Sequence, residues 1–248
     1  MTNNRMTETN LQNPQKRKNF GVGLRSPGLL ARRPVIGWLM FIFGVLGFGG
    51  LTYNLFAQGP LLELDRRIAI AWPAIALKGP AYLKVLIDSG FYIGEQVIIG
   101  FCILLSIYFI FRRYWEELTM IAIGIPGSSA LFLLLSRTIG RVRPSTQIWI
   151  VEKIPGFPSG HAITAFTFFF LMVYLLVPKM RTAFSKGVVI FLATFIIVFV
   201  GFSRVFTGGH YLTDVLAGYA VGIAWSGLAF TLIEIYFKKR RSQNVKKE

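Results

Sequence analysis

The chain alternates long apolar blocks with short polar segments, and this pattern predicts its main elements. A helix needs about 20 mostly apolar residues to cross a bilayer. Six stretches satisfy this pattern, at about residues 34–56, 91–111, 118–135, 161–177, 187–202 and 213–237. The pattern predicts an all-α integral membrane protein with six transmembrane helices.

Polar segments flank this membrane domain, which we place at residues 34–237. Residues 1–33 and 238–248 are polar and basic, and we interpret both as cytoplasmic tails, the first of them disordered. Neither tail contains an apolar block of comparable length.

One further segment, residues 61–86 between helices one and two, mixes charged residues with leucine, isoleucine and alanine. This mixture predicts a helix lying in the membrane interface, broken at Pro73 and Pro80. A loop helix packed on the bundle is an equal alternative.

The chain carries fewer charges than a soluble domain. Hydrophobic residues make up 54% and charged residues 15% of the sequence, whereas soluble domains carry about 25% charged residues. Much of the net charge of +16 lies in the tails and in short loops. We interpret it as the basic excess of cytoplasmic loops and expect no nucleic-acid partner.

The basic residues also predict an orientation. They cluster in both tails, at Arg112 and Arg113, and in the loop at residues 179–186. Because cytoplasmic loops are enriched in lysine and arginine, both termini are predicted to face the cytoplasm. The short, loop-poor six-helix form favours a bacterial cytoplasmic membrane, with a plastid membrane as the alternative. The loops after helices one, three and five then lie on the extracytoplasmic side.

Three polar clusters fall in those extracytoplasmic regions, and one contains His210 and Asp214. Four residues apart, they share one face of a helix. The carboxylate is predicted to accept the Nδ1 proton, which leaves Nε2 as a nucleophile, while Arg204 offers a planar fork to phosphate oxygens. The alternative is a histidine and an aspartate that only cap helix six.

A second cluster runs from Pro158 to His161 at the start of helix four. Its amides and the Ser159 hydroxyl are positioned to bind an anion at a helix N-terminus, beside Gly160. His161 could act as a general acid. The alternative is that Ser159 simply caps the helix.

The remaining cluster crowds Arg137, Arg141 and Arg143 into seven residues. Such crowding predicts a bound anion, either phosphate or anionic lipid headgroups. Together the clusters provide a nucleophile, an acid and cations, as phosphoryl transfer requires. The sequence has no acidic cluster for magnesium and only one cysteine, Cys102, so we expect no metal and no cofactor.

In this order and at membrane helix ends, the clusters resemble the signature of the type 2 phosphatidic acid phosphatase family, which is related to vanadium haloperoxidases. That signature reads Lys-x6-Arg-Pro, Pro-Ser-Gly-His and Ser-Arg-x5-His-x3-Asp. Its second and third parts are intact at residues 158–161 and 203–214. The resemblance covers residues 35–237 and implies the family's six-helix bundle.

The first part of the signature is met only at Arg143 and Pro144, because Ser136 stands at the lysine position. A serine cannot supply the missing cation. We therefore expect Arg137 or Arg141 to reach the phosphate instead.

The resemblance implies a role for each matching residue. His210 attacks phosphorus and becomes phosphohistidine, Asp214 orients it, and His161 protonates the leaving lipid oxygen. The phosphate-binding residues are Arg143, Arg204, Ser159 and Gly160, with Arg137 and Arg141 as further candidates.

The function expected from these roles is hydrolysis of a lipid phosphate or diphosphate in the bilayer. The candidate substrates are phosphatidic acid, phosphatidylglycerol phosphate and a polyprenyl diphosphate such as undecaprenyl diphosphate. A lipid phosphotransferase with the same intermediate and a non-catalytic lipid-binding or transport protein are the alternatives. The oligomeric state cannot be read from the sequence.

Overall fold

The structure, a computed structural model, describes residues 28–145 and 154–245, and these residues are helical and contain no β-strand. The described residues form nine α-helices: α1 Leu29–Arg32, α2 Pro34–Phe56, α3 Leu61–Lys78, α4 Ala81–Tyr92, α5 Ile98–Phe111, α6 Trp115–Ile139, α7 Gly160–Leu176, α8 Ala183–Phe206 and α9 Leu212–Val245. A π-helical turn, Ile93–Val97, joins α4 to α5, and a 3-10 turn, Val177–Lys179, follows α7.

Five of the described helices are long and apolar enough to cross a membrane. They are Pro34–Phe56, Trp115–Ile139, Gly160–Lys179, Ala183–Phe206 and Leu212–Asn244. The remaining apolar helix, Ile98–Phe111, is shorter. It continues α4 through the π-helical turn, so the second predicted helix begins at Ala81 rather than near residue 91.

Helices α2 and α9 pack together along their length. Glycines at the contact allow the two backbones to approach, as in other membrane helix pairs. A Cβ added to Gly227 would come within 2.6 Å of the Gly37 carbonyl oxygen. Further along, a Cβ on Gly44 would lie 2.6 Å from the Ala224 amide nitrogen. Larger residues at these positions would force the helices apart.

Helix α3 packs on the bundle, and its predicted break at Pro73 is wrong. The helix continues to Lys78 and ends before Gly79 and Pro80. Its buried face includes Pro73 itself, and the Trp72 ring packs against Phe202 in a tilted arrangement with ring centroids 5.3 Å apart. This packing offsets the backbone hydrogen bond that a proline removes.

Helices extend into both segments that the sequence assigns to the tails. Residues 1–27 lie outside the described residues, but α1 falls within the segment assigned to the first tail, with Leu30 and Ala31 buried. At the other terminus α9 continues past residue 237. Lys238 donates to the Ala31 carbonyl at 2.9 Å, and Arg241 pairs with Glu116 at 2.6 Å. These contacts hold the basic residues in helical conformation.

Because α6, α7, α8 and α9 alternate in direction, two sets of helix ends can be distinguished. The end of α6, the start of α7 and the α8–α9 connection form the His210 end of the bundle. The start of α6, the end of α7 and the later turns of α9 form the Glu234 end. The three polar clusters of the sequence lie together at the His210 end.

Candidate active site

His210 lies at the centre of this end, in the connection between α8 and α9, and its side chain is fully buried. Its Nδ1 atom is 2.8 Å from the Gly156 carbonyl oxygen. A carbonyl can only accept, so Nδ1 carries the proton and Nε2 carries the lone pair. That lone pair faces Nη1 of Arg143 at 2.8 Å. The geometry therefore gives the tautomer that a nucleophilic Nε2 requires.

The predicted hydrogen bond from His210 to Asp214 is not formed. Nδ1 lies 3.5 Å from Oδ2 of Asp214, too far for a good hydrogen bond. The Gly156 carbonyl is closer and accepts the hydrogen bond from Nδ1. Asp214 instead accepts from the Tyr211 amide at 2.9 Å, and its charge lies beside the imidazole without a direct bond.

Arg141, which the sequence suggested as a substitute phosphate ligand, binds two buried carboxylates. Its guanidinium donates to Asp214 at 2.6 Å and to Asp65 at 2.8 Å. It also donates to the Thr213 hydroxyl at 2.7 Å and lies 4.1 Å from the centre of the Tyr211 ring. Burial raises the pKa of the Tyr211 phenol. Arg141 thus bridges two buried carboxylates.

Arg137, the other predicted substitute for the lysine, points in a different direction from Ser136. It is exposed, whereas Ser136 beside it is fully buried. Successive residues of an α-helix point about 100° apart, so Arg137 cannot follow the direction of Ser136. Among the described residues Arg137 forms no hydrogen bond with the cluster.

Arg143 is anchored mainly by backbone carbonyls. Its Nε donates to the Ile154 oxygen and its Nη1 to the Gly209 oxygen, both at 2.8 Å. These bonds hold the guanidinium beside His210.

Ser159 precedes α7, but its hydroxyl does not cap the helix. The side chain is fully buried, and Oγ has no hydrogen-bond partner among the described residues. The simple capping alternative is therefore wrong. The Ser159 amide was expected to face an anion, but it donates to the Asp214 carbonyl at 2.9 Å. A Cβ on Gly160 would lie 3.0 Å from the Phe132 ring, which explains the glycine there.

His161 and Arg204 complete the cluster. Arg204 is buried and packs against Gly209, where a Cβ would come within 2.9 Å of its Nη2. His161 is partly exposed and lies within electrostatic range of Arg204, Arg143 and His210. Gly94 of the π-helical turn packs against the His161 ring, so this turn shapes the site, as such turns frequently do.

The sequence did not reveal Asp65, Gly156 and Thr213 as site residues. Asp65 is 1% exposed and lies on the buried face of α3. A carboxylate within an apolar helical stripe was the available signal for it. Gly156 acts through its carbonyl, which any residue has, so no signal could identify it.

Apolar helices that carry a buried histidine among arginines at one end define an integral membrane enzyme that handles phosphate. The PAP2 superfamily model matches residues 118–238. Phosphatidylglycerophosphatase B of Bacillus subtilis (strain 168) is 31% identical over 179 residues, which are 69% of this chain and 83% of the relative. The chain belongs to the PAP2 superfamily and is a membrane lipid phosphatase.

Other known proteins support this assignment. Lipid A 1-phosphatase of Rhizobium etli is 34% identical over 116 residues, which are 43% of this chain and 45% of that protein. The crystal structure of the first transmembrane PAP2 type phosphatidylglycerolphosphate phosphatase from Bacillus subtilis matches with a TM-score of 0.64. That alignment has 26% identity and covers 82% of this chain and 96% of the other.

Proposed function

We propose that the protein hydrolyses a lipid phosphate through a phosphohistidine formed at His210. The observation that carries this proposal is the orientation of the imidazole. Nδ1 is tied to the Gly156 carbonyl, and the Nε2 lone pair points toward a guanidinium. A buried histidine held in this tautomer is prepared for attack on an electrophile that arginine binds.

In the first step, the Nε2 lone pair of His210 attacks phosphorus and the bond from phosphorus to the lipid oxygen breaks. His161 donates a proton to that oxygen, and the lipid alcohol leaves. The positive charge that develops on His210 is stabilised by Asp214, whose carboxylate lies 3.5 Å from Nδ1.

In the second step, water attacks the phosphohistidine. His161, now neutral, accepts a proton from the water while the phosphorus–nitrogen bond breaks and its electrons return to Nε2. Inorganic phosphate leaves, and both histidines regain their starting protonation states. This step requires neither a metal ion nor an external cofactor.

The cations beside His210 would stabilise the transferring phosphoryl group. Arg143 contacts Nε2 and would turn its donor to a phosphate oxygen when substrate enters. Arg204 adds a second buried guanidinium, and the Ser159 hydroxyl and the Gly160 segment supply further contacts. Preorganised donors of this kind act on charge that develops in the transition state.

Phosphatidylglycerol phosphate is the substrate that the comparisons favour. Both the Bacillus relative and the solved structure are named for that activity. Phosphatidic acid and a polyprenyl diphosphate remain candidates. In each case a phosphate at the membrane surface could reach His210 while the lipid chains stay in the bilayer.

The proposed orientation places the His210 end outside the cytoplasm. Basic residues concentrate at the Glu234 end, in the α5–α6 and α7–α8 connections and late in α9, as cytoplasmic ends require. The continuous helix from Ala81 to Phe111 would be the sixth span, because 1.5 Å per residue gives it a length of about 46 Å. Both termini would then be cytoplasmic.

Phosphate release by detergent-purified protein, without added metal, tests the proposed reaction. A panel of lipid phosphates and diphosphates would be compared, with the His210→Ala protein beside the parent. We expect release by the parent, fastest with phosphatidylglycerol phosphate, and a loss of at least about a thousandfold in the variant.

Two results would change the proposal. Equal release by the His210→Ala protein would show that His210 is not the nucleophile. Release by the parent only when a second lipid alcohol is added, with phosphate transferred to that alcohol, would identify a phosphotransferase instead. A phosphotransferase would still become labelled at His210 by radiolabelled phosphate from substrate.

A further inference from the structure

Asp65 is a buried carboxylate that belongs to none of the three clusters. It lies on α3, and both of its oxygens are occupied. Oδ1 accepts from the Thr213 amide at 3.0 Å, while Oδ2 accepts from the Thr213 hydroxyl and from Arg141. Asp65 therefore joins α3 to the first turn of α9, 148 positions away in the chain.

Arg141 extends this connection to Asp214. Its Nη2 donates to Asp65 and its Nη1 to Asp214. The three side chains together carry one net negative charge and are at least nine-tenths buried. Removal of the Asp65 charge would leave Arg141 with Asp214 as its one carboxylate partner among the described residues.

Arg141 also positions the Gly156 carbonyl, which accepts the hydrogen bond from Nδ1 of His210. The Gly156 amide donates to the Arg141 carbonyl at 2.8 Å, and the Gly156 carbonyl lies 2.8 Å from Nδ1 of His210. Arg141 thus positions both groups that face Nδ1. Its backbone carbonyl holds Gly156, and its side chain holds the Asp214 carboxylate. A shift of Arg141 would disturb both.

We infer that Asp65 is a positioning residue for the nucleophile, acting on His210 through Arg141 and the start of α9. This inference rests on the proposed role of His210. Asp65 touches neither substrate nor the reacting atoms. It sets the orientation of the imidazole and the net charge beside it.

Substitution of Asp65 should affect catalysis and leave phosphate binding intact. The two oxygens of Asp65 bind Thr213 and Arg141, neither of which is proposed here to bind phosphate, so phosphate binding should survive its substitution. Loss of a partner that orients a catalytic group typically costs on the order of 10–100-fold in activity. We expect Asp65→Asn to lower kcat by that factor, with KM and the inhibition constant of inorganic phosphate unchanged.

Glu63→Gln is the matched control. Glu63 lies on the same helix two positions earlier, but it is exposed and its partners are Arg66 and Arg67. The hydrogen bond from Arg67 lowers the pKa of its carboxyl, so Glu63→Gln removes a carboxylate charge from the same helix. Glu63→Gln should leave kcat unchanged. Asp65→Glu, which keeps the charge, should recover part of the activity.

A second measurement does not depend on turnover. The chain contains two histidines, so ¹⁵N-histidine labelling with a histidine-free affinity tag gives two sets of ring signals. His161→Gln assigns them. We expect the Nδ1-protonated tautomer at His210 in the parent and in Glu63→Gln, and shifted Nδ1 signals in folded Asp65→Asn protein.

The outcomes separate the inference from the proposed function. Reduced kcat together with shifted His210 signals in Asp65→Asn alone would support both. Shifted His210 signals in Asp65→Asn, combined with a parent protein that releases no phosphate, would support the positioning role and overturn the proposed reaction. Unchanged His210 signals, or a rise in KM and in the phosphate inhibition constant with kcat unaltered, would overturn the inference.

Discussion

The two ends of the bundle both bury carboxylates, but they stabilise them differently. At the His210 end, Asp65 and Asp214 share the cation Arg141. At the Glu234 end, the carboxylate of Glu234 accepts from the Tyr174 hydroxyl and from the Ala31 amide, which are neutral donors. One arrangement joins charges of opposite sign, and the other caps the N-terminus of α1.

This difference predicts how each polar network responds when one of its side chains is replaced. A buried ion pair becomes costly when one partner is removed, because the other charge stays uncompensated. Neutral donors leave no charge behind when their acceptor changes. The His210 end is therefore the more sensitive one, and its sensitivity coincides with the site.

Removal of Arg141 should have the largest effect. Arg141→Ala leaves Asp65 and Asp214 buried without a cation, and loss of one partner of a buried pair costs about 3–5 kcal/mol. Thermal unfolding in detergent at pH 7 would measure the loss. Arg137→Ala, an exposed arginine of the same segment, is the control and should change stability by less than about 0.5 kcal/mol. Equal losses in both variants would contradict the buried bridge.

Removal of the Ser159 hydroxyl should separate activity from stability. Hydrogen bonds to charged groups contribute about 1.5–3 kcal/mol, or roughly 10–100-fold in kcat/KM. Because Oγ has no partner among the described residues, Ser159→Ala should lose activity toward lipid phosphate without losing stability. Kinetic assays and thermal unfolding of the same preparation test this. A large drop in stability would show that the hydroxyl is structural.

Substitution of Glu234 should have the smallest effect. Glu234→Gln keeps an acceptor for Ala31 and loses part of one hydrogen-bond network, about 1–2 kcal/mol. The residue lies 20 positions after Asp214 on α9, or about 30 Å along the helix. Phosphate release should therefore be unchanged while the unfolding temperature falls. A matching loss of kcat would show that the two ends are coupled.

Much of the fold follows from the sequence because the bilayer imposes a simple requirement. A spanning helix must satisfy its own backbone and present apolar side chains, so long apolar blocks mark helices well. The prediction failed where packing outweighed local preference. Pro73 continues α3 because its face is buried, and α9 extends past residue 237 because Lys238 and Arg241 have partners.

The site was predictable only in part. His210, His161 and Arg143 stand in signatures whose residue types suggest chemistry directly, and the structure brings them together. The partner of Nδ1 was mispredicted, because helical spacing favoured Asp214 while a loop carbonyl lies closer. Asp65 was missed because its partners lie in two distant segments, and its place in the apolar stripe of α3 does not by itself identify them.

The close packing of α2 against α9 has a consequence for biosynthesis. Helix α2 leaves the ribosome well before α9, so the Gly37 and Gly44 face of α2 has no packing partner until α9 is synthesised. The first turn of α9 also holds Asp214. Insertion of α9 is therefore expected both to complete this helix pair and to bring Asp214 beside His210, and a chain stalled before α9 should be inactive.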